Sequence, residues 1–492
     1  MQFRPNPARL RRAGFSTDAR EARAGMPYTY MHDMSTRRKP HGVERAFAAP
    51  AELLEKGLDV AERGEHMLSN NGPVRRASEY WSKLGPGLIT GASDDDPSGI
   101  ATYSQAGAQF GYQFTWTMLF SLPLMATVQE MCARIGLVSG KGLAANIRHH
   151  YSARTLYFVT ALLFVANTLN IAADLGAMAA GTRLLFTNAN IEMLVVLFAL
   201  ASLLLQIFTN YAHYARYLKY LTIALFAYVM AAFAAHLNWT EIIQHTVVPS
   251  FTFTKEHIFL LGAVLGTTIS PYLFFWQTSQ EVEERIQHGE TTVKQRQKNV
   301  TDSAITDMRV DVWSGMSFSN IIAFFIMVAT AGTLYAHGVT NIATAADAAA
   351  AIRPFAGESA YFLFAVGIIG TGFLAIPVLA GSTAYAIAES FGWRYGLYRK
   401  LKQAYAFYGV IIISMIIGVI ANFLHLDPIK GLLYAAVANG AIAPVVLFFV
   451  IRISENKRIM GHHANARSTS LVGWLTAGIM AVSGVAAVLT LF

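Results

Sequence analysis

Three consecutive aspartates lie in the middle of an apolar segment, where charged side chains are rarely tolerated. Asp94, Asp95 and Asp96 belong to the stretch GPGLITGASDDDPSG, residues 85–99. One ionised carboxylate near the centre of a bilayer costs about 2.5–3.5 kcal/mol on insertion scales, so three facing lipid would cost on the order of 8–10 kcal/mol. These side chains must therefore face a cavity, lose their charge or meet a cation.

The residues that follow the aspartates predict that the helix is interrupted at this point. Pro97 has no N–H and disfavours helical geometry at Asp96, and Ser98 and Gly99 weaken a helix further. A break at mid-membrane presents carboxylates and free backbone carbonyls to the same space. That arrangement suits the binding of a cation in a secondary transporter.

A second apolar segment carries a similar interruption. Residues 262–272 read GAVLGTTISPY, so Pro271 again follows polar residues in the middle of a membrane segment. The first break lies in the first apolar segment and this one in the sixth, which predicts two five-helix halves related by an inverted repeat. The site would then lie between the halves. Two ordinary proline kinks are the alternative.

The composition is that of a helical membrane protein. Hydrophobic residues make up 54% of the 492 residues and charged residues only 14%, whereas a soluble protein has about a quarter charged residues. The fold class predicted is an all-α polytopic membrane protein with about 11 transmembrane helices. The apolar segments lie near residues 84–108, 113–136, 155–182, 189–210, 217–237, 257–284, 312–337, 359–391, 404–426, 430–452 and 469–491.

The basic residues predict how these segments are oriented. With the N-terminus inside, predicted cytoplasmic loops hold 19 Lys and Arg residues, whereas external loops hold only Arg183, Lys255, Arg353 and Lys430. The positive-inside rule then predicts a multi-pass protein of the cytoplasmic membrane, with a cytoplasmic N-terminus and an external C-terminus. Because the net charge of +8 follows this topology, it does not indicate nucleic-acid binding.

Composition also divides the chain into two regions. Residues 1–80 are rich in Arg, with scattered Pro and Gly, and are predicted to form a disordered basic cytoplasmic tail. Residues 81–492 are predicted to form the transmembrane transporter domain. The single Cys132 excludes internal disulfides and Cys-rich metal sites. The sequence shows no nucleophile–base pair and no cofactor motif, so an enzyme is not expected.

From about residue 84 to 455 the chain resembles the Nramp family of proton-coupled divalent metal transporters, which have a LeuT-like fold with broken helices 1 and 6. Residues 85–99 resemble the family's first helix, whose signature is Asp-Pro-Gly-Asn. Other similar stretches are Gln105–Tyr112, Ser139–Ala144, Ala173–Leu175, Gly381–Ser382 and Glu389–Phe391. The resemblance implies that the ligand of this protein is a transported divalent metal ion and that no cofactor is needed.

The resemblance also implies which residues would contact the ion. The family's aspartate matches Asp96, its asparagine falls on Gly99, and its Met-Pro-His signature falls on Ser270, Pro271 and Tyr272. The residue whose carbonyl usually contributes falls on Thr267. A hydroxyl thus replaces the thioether that favours softer metals, and the donors become all oxygen. With Asp95 as a further candidate, this set favours magnesium or manganese.

The family's proton route is altered in the same way. A family histidine falls on Gln277, the signature histidine on Tyr272, and a polar glutamine on Tyr385, whereas Asp174 keeps the pattern. Neither Gln nor neutral Tyr exchanges protons readily near pH 7. Proton coupling is therefore predicted to be weak or absent. Asp94 with its two neighbours is the alternative proton carrier, because adjacent carboxylates titrate as a group.

Three functions are compatible with the sequence. The first is a transporter of a divalent metal ion, with magnesium or manganese favoured. The second is a LeuT-fold transporter of a non-metal solute, favoured by the missing Asn and Met. The third is a non-transporting sensor that uses the fold as a receptor.

Charged and histidine clusters in predicted cytoplasmic regions have two interpretations each. Glu281, Glu283 and Glu284 follow the sixth segment, either as a solvated helix end or as an ion-attracting vestibule. The pairs 149–150 and 462–463 are His–His dipeptides in cytoplasmic loops. Solvated surface histidines are the simpler interpretation, and an intracellular metal sensor is the alternative.

Overall fold

The structure is a computed structural model that describes residues 85–209, 225–235, 237–342, 345–424 and 428–491. Within these ranges every regular element is a helix. The predicted tail, residues 1–80, lies outside the described residues. So do residues 217–224 and 236 of the fifth predicted apolar segment.

Fifteen helices of eight or more residues are described. They are α1 Pro86–Asp94, α2 Pro97–Phe110, α3 Thr115–Ser139, α4 Leu143–His150, α5 Ala153–Arg183, α6 Ile191–Phe208, α7 Phe226–Ala234, α8 Trp239–Val247, α9 Lys255–Thr268, α10 Pro271–Gln287, α11 Asp302–Thr333, α12 Ala360–Phe391, α13 Tyr405–Asn422, α14 Pro428–Glu455 and α15 Arg467–Leu489. Shorter helices are Val293–Lys298, Ala345–Ala350, Arg353–Ala356 and Lys457–Met460.

Among the described residues, 8 helical stretches are long and apolar enough to cross a membrane. They coincide with eight of the eleven predicted segments. Of the other three, the first is divided into α1 and α2, each shorter than 18 residues. The second corresponds to α3, which carries Gln129, Glu130 and Arg134. The third, α7, borders the part of the chain that is not described.

Both predicted helix breaks are present, and they have the same local design. Two non-helical residues separate α1 from α2, and two separate α9 from α10. In each break the first residue leaves the helical region (Asp95 at φ −80°, ψ 49°; Ile269 at φ −118°, ψ 66°), and the second is extended. A proline then opens the next helix, where its missing N–H costs nothing.

The half-helices before the breaks pack very closely on their neighbours. Gly91 of α1 lies against the backbone of Gly315 in α11, and Gly266 of α9 lies against Ala436 and Gly440 in α14. A Cβ atom at Gly91 or Gly266 would overlap backbone atoms of the facing helix. Small residues permit such backbone contact between membrane helices.

The start of α1 is capped by an acid from a distant helix. Asp311 of α11 accepts hydrogen bonds from the backbone N–H groups of Gly85 (2.8 Å), Gly87 (2.6 Å) and Leu88 (3.0 Å). These groups lack partners within the helix, and Gly85 has no side chain to cap them. Helix α1 is therefore held by α11 both at its first turn and at Gly91.

We expect Gly91→Ala to destabilise the protein, because the added methyl group must push α1 away from α11. Overpacking of this kind costs about 1–3 kcal/mol, which outweighs the gain in helix propensity of about 1 kcal/mol. Thermal unfolding of the purified protein measures the effect. Gly478→Ala in α15 is the matched control, since a Cβ there meets no atom within 4 Å. An equal or higher melting temperature for Gly91→Ala would contradict this packing.

Candidate metal site at the helix breaks

The two helix breaks lie against each other in the interior. The Tyr272 hydroxyl, in the first turn of α10, donates to the carbonyl oxygen of Ser93 at 3.2 Å and lies 3.5 Å from Oδ2 of Asp96. The hydroxyls of Tyr103 and Thr268 are 3.0 Å apart. The second break thus faces the first through hydroxyl groups. Asp94, Asp95, Asp96, Thr267, Ser270 and Tyr272 are each only 1% exposed.

Asp96 uses one carboxylate oxygen to cap α2. Its Oδ1 accepts from the backbone N–H of Gly99 and from the Ser98 hydroxyl, both at 2.7 Å. Its Oδ2 faces the Tyr272 hydroxyl. The cap fixes the orientation of the carboxylate, and Oδ2 is the oxygen directed toward the second break.

Asp94 and Asp95 turn toward a different helix. The Ser319 hydroxyl of α11 lies 3.1 Å from Oδ2 of Asp94 and 3.1 Å from Oδ1 of Asp95. A hydroxyl has one proton to donate, so the second contact requires a proton on one carboxyl or a cation beside the pair. Among the described residues, Oδ1 of Asp94 and Oδ2 of Asp95 have no hydrogen-bond partner. This pair is therefore the part of the triad that is short of positive charge.

The hydroxyl oxygens of the second break have free lone pairs. Ser270 directs its hydroxyl to the carbonyl oxygens of Gly266 (3.0 Å) and Thr267 (2.8 Å), so its proton is used within its own segment. The Thr267 hydroxyl lies 3.4 Å from that of Ser98. The oxygen lone pairs of Thr267 and Ser270 can still accept a hydrogen bond or bind a cation.

Gly99 lets the two breaks approach each other. A Cβ at this position would lie 3.3 Å from the carbonyl oxygen of Asp94 and 3.4 Å from the Thr267 hydroxyl. Such distances are tight for a side chain. The position where the family carries asparagine is therefore a close contact between α2 and α9 in this protein.

Asp174 lies beside the first break on the long helix α5. Its carboxylate is fully buried and lies near the Asp96 carboxylate and the backbone of Ser98. One turn earlier, Asn170 is also fully buried, and neither atom of its amide has a hydrogen-bond partner among the described residues. Sequence reasoning missed Asn170, although its spacing of four residues from Asp174 places both on one face of the helix.

Gln277 and Tyr385 belong to a buried acidic region further along α10. Gln277 donates to Glu281 at 2.9 Å, and the Tyr385 hydroxyl donates to Glu283. Glu283 also accepts from the backbone N–H of Leu397 at 2.6 Å. Gln277 is five residues beyond Tyr272, about 7–8 Å along the helix axis, and the structure gives it no hydrogen bond to the aspartates of the break.

The interpretation of Glu281 and Glu283 as a solvated helix end is wrong. Both residues are only 4% exposed, because α3 and α12 cover α10 on this side. The local sequence suggested a solvated end since three glutamates precede an arginine. Tertiary packing instead buries two of them, Glu281 beside Gln277 of its own helix and Glu283 beside Tyr385 and Leu397 of other segments.

The chain and its fold are both similar to known proteins. The model of the Nramp family, described as natural resistance-associated macrophage protein-like, matches residues 87–490. A manganese transporter of Eremococcus coleocola, crystallised with an aromatic bis-isothiourea compound, aligns with a TM-score of 0.68 at 18% identity, over 82% of this chain and 85% of that one.

The same architecture occurs outside that family. Mhp1, a nucleobase-cation-symport-1 family transporter in a closed conformation, aligns with a TM-score of 0.51 at 14% identity, over 82% of this chain and 91% of that one. At these identities the likeness concerns the fold alone. It confirms the predicted all-α, LeuT-like fold, and the family match confirms the predicted resemblance.

We expect Ser319→Ala to destabilise the protein, because two buried carboxyls lose the hydroxyl that they share. An unsatisfied buried polar group costs about 1–3 kcal/mol. A bound cation should compensate, so Mg²⁺ should raise the melting temperature more in the variant than in the wild type. Thr333→Val is the control, since that hydroxyl lies on the same helix and donates to the carbonyl of Ala329. Equal melting temperatures for wild type and Ser319→Ala would contradict the contact.

Proposed function

The chain belongs to the Nramp family, whose members carry divalent metal ions across membranes, and we propose that it transports a hard divalent cation, magnesium or manganese. Family membership also confirms the prediction that the protein is a transporter rather than an enzyme. The observation that carries the proposal is the Asp96 carboxylate, held by its own helix cap with Oδ2 directed at the second break.

The hydroxyl groups of the second break support the choice of ion. The side chains of Thr267, Ser270 and Tyr272 supply hydroxyl oxygens at the second break. Oxygen donors suit magnesium and manganese, whereas the thioether that would favour softer metals is replaced here by Ser270. Asp95 has an oxygen without a partner and is proposed to supply further negative charge.

The half-helices that end at the breaks add partial negative charge through their last carbonyl groups. Helices α1 and α9 both end at the breaks, and the last carbonyl groups of a helix carry partial negative charge. These carbonyls therefore favour a cation in the gap. The binding site we propose thus comprises Asp96, Asp95, Gly99, Thr267 and Ser270, with Gly99 contributing close approach rather than a side chain.

We propose that the ion enters the cytoplasm under the membrane potential, with weak proton coupling or none. The positive-inside distribution of Lys and Arg supports a cytoplasmic N-terminus and an external C-terminus in the cytoplasmic membrane. A divalent ion that crosses the whole field gains about 4.6 kcal/mol per 100 mV. Gln277 hydrogen-bonds to Glu281 rather than to the break, which supports the loss of the family's histidine route.

A non-metal solute is the second candidate. The close contact at Gly99, in place of the family's asparagine ligand, favours it. The buried carboxylates of the first break oppose it, because a neutral solute would leave their charge uncompensated. The transport experiment below distinguishes the two candidates directly.

We expect Asp96→Asn and Asp96→Ala both to abolish uptake of the ion in proteoliposomes. Asparagine is as good an N-cap as aspartate, so Asp96→Asn should keep a wild-type melting temperature, whereas alanine should lose about 1 kcal/mol. Magnesium, manganese, calcium and cadmium are offered separately, and the wild type should carry magnesium and manganese in preference to cadmium. Wild-type uptake by well-folded Asp96→Asn would remove this residue from the site. Accumulation of none of the four ions by the wild type would favour the non-metal solute.

We expect uptake to respond to membrane potential and not to a pH gradient alone. A lumenal pH indicator should show no acidification that accompanies the metal. Acidification that tracks uptake in the wild type and disappears in Asp95→Asn would instead make the aspartate pair the proton carrier. The geometry at Ser319 is compatible with that result, because Asp94 or Asp95 can hold a proton that the two carboxyl groups share. Asp174→Asn is the matched comparison, because it removes the family's retained acid.

A further inference from the structure

We propose that Asp302, His462 and His463 form a second metal site, which takes a transition-metal ion of the zinc, nickel or cobalt kind. One ligand atom from each of the three side chains lies within 4.8 Å of the others. Among the described residues, no other group of three or more His, Cys, Asp or Glu side chains brings its ligand atoms this close together. The site is independent of the proposed transport site at the helix breaks.

The fold brings the three residues together from separate parts of the chain. Asp302 is the first residue of α11, and the preceding Thr301 caps that helix by accepting from the N–H of Ala304 at 3.2 Å. The Asp302 carboxylate is thus not the cap. His462 and His463 form the turn Gly461–His463 between α14 and α15, and their rings are 3.8 Å apart.

The histidine turn has a defined backbone. The N–H of Asn465 donates to the carbonyl oxygen of Ser454 at 2.9 Å, which closes the loop on the end of α14. The preceding helix Lys457–Met460 is capped by the Asn456 side chain, which accepts from the N–H of Arg458 at 2.9 Å. It packs against α3, with Met460 buried. The two imidazoles therefore extend from an anchored turn.

The ligand types select the metal. Two imidazoles and one carboxylate suit zinc, nickel, cobalt or ferrous iron, whereas magnesium prefers oxygen ligands alone and keeps most of its waters. Three protein ligands also leave a coordination position for water, as in many zinc sites. This donor set differs from the hydroxyls and carboxylates at the breaks.

One basic side chain, Arg134, lies near His463. Arg134 itself is paired with Glu130 at 3.2 Å, which offsets its repulsion of a cation.

A metal at this position would connect the loop between α14 and α15 to the helix that supports the first break. Helix α11 runs without interruption from Asp302 through Asp311, which caps α1, to Ser319, which contacts Asp94 and Asp95. Asp302 and Ser319 are about 25 Å apart along the helix axis. The site lies on the face predicted to be cytoplasmic, where it would meet transition metals inside the cell.

The test is Co²⁺ binding to the purified full-length protein in detergent, followed by the visible absorption of cobalt. A large excess of Mg²⁺ is kept in the buffer, so that the helix breaks are occupied by a hard ion. We expect one Co²⁺ per chain, displaced by Zn²⁺. His462→Ala/His463→Ala and Asp302→Asn should each weaken binding by at least about 10–100-fold, the effect known even for outer-shell partners.

The matched control is His149→Ala/His150→Ala, which removes the other His–His pair, with rings 5.8 Å apart and no converging carboxylate among the described residues. This variant should bind Co²⁺ as the wild type does. Unchanged binding in His462→Ala/His463→Ala, or equal loss in both double variants, would overturn the proposal. A wild-type melting temperature of the His462→Ala/His463→Ala protein shows that it is folded. Asp96→Asn should still bind Co²⁺ here, so failure of the transport proposal is distinguishable from failure of this one.

Discussion

The burial of three adjacent carboxyl groups in a membrane domain is the constraint on which the rest of this structure depends. Each group is only 1% exposed, and an uncompensated carboxylate at such depth is costly. The three carboxyl groups have two different sets of hydrogen-bond partners. Asp96 is satisfied by the start of its own following helix, while Asp94 and Asp95 share one hydroxyl from α11. That pair is therefore the part of the break that is short of positive charge.

Helix α11 is the element that holds the first break in position. Asp311 caps the start of α1, Gly315 packs on its middle, and Ser319 contacts the acids at its end. Since α11 is one uninterrupted helix of 32 residues, these three contacts move as a unit. The second half-helix, α9, is held in a comparable way by small residues of α14. The two breaks therefore meet as the ends of firmly packed half-helices rather than as flexible loops.

The chemistry of the two proposed metal sites is complementary. At the breaks the donors are carboxylate, hydroxyl and carbonyl oxygens, which discriminate weakly between magnesium and manganese. At the far end of α11 the donors include two imidazoles, which bind transition metals far better than magnesium. A transporter with an all-oxygen site gains a means of recognising transition ions if a second site of softer ligands lies on its cytoplasmic side.

The sequence by itself determined the membrane class, the positions of the two breaks and the family. Long apolar segments and adjacent acids act locally, and Pro97 and Pro271 each follow polar residues at a helix break. Pro123, Pro377 and Pro444 lie inside continuous helices, so a proline alone does not predict a break. The predictions of the membrane class and of the breaks are confirmed because their physical causes lie within a few residues of one another. That Asp96 and the residues of the second break contact the ion stays a prediction from the resemblance.

Only the tertiary structure decided what each acid faces. Three consecutive residues that leave a helix point in different directions, so Asp94 and Asp95 meet Ser319 while Asp96 meets Tyr272. Nothing near Ser319 in the sequence predicts that contact, and Glu281 and Glu283 are buried because distant helices cover them. The convergence of Asp302 with His462 and His463 likewise joins residues about 160 positions apart. Such contacts depend on how helices pack across the bundle, which local sequence does not specify.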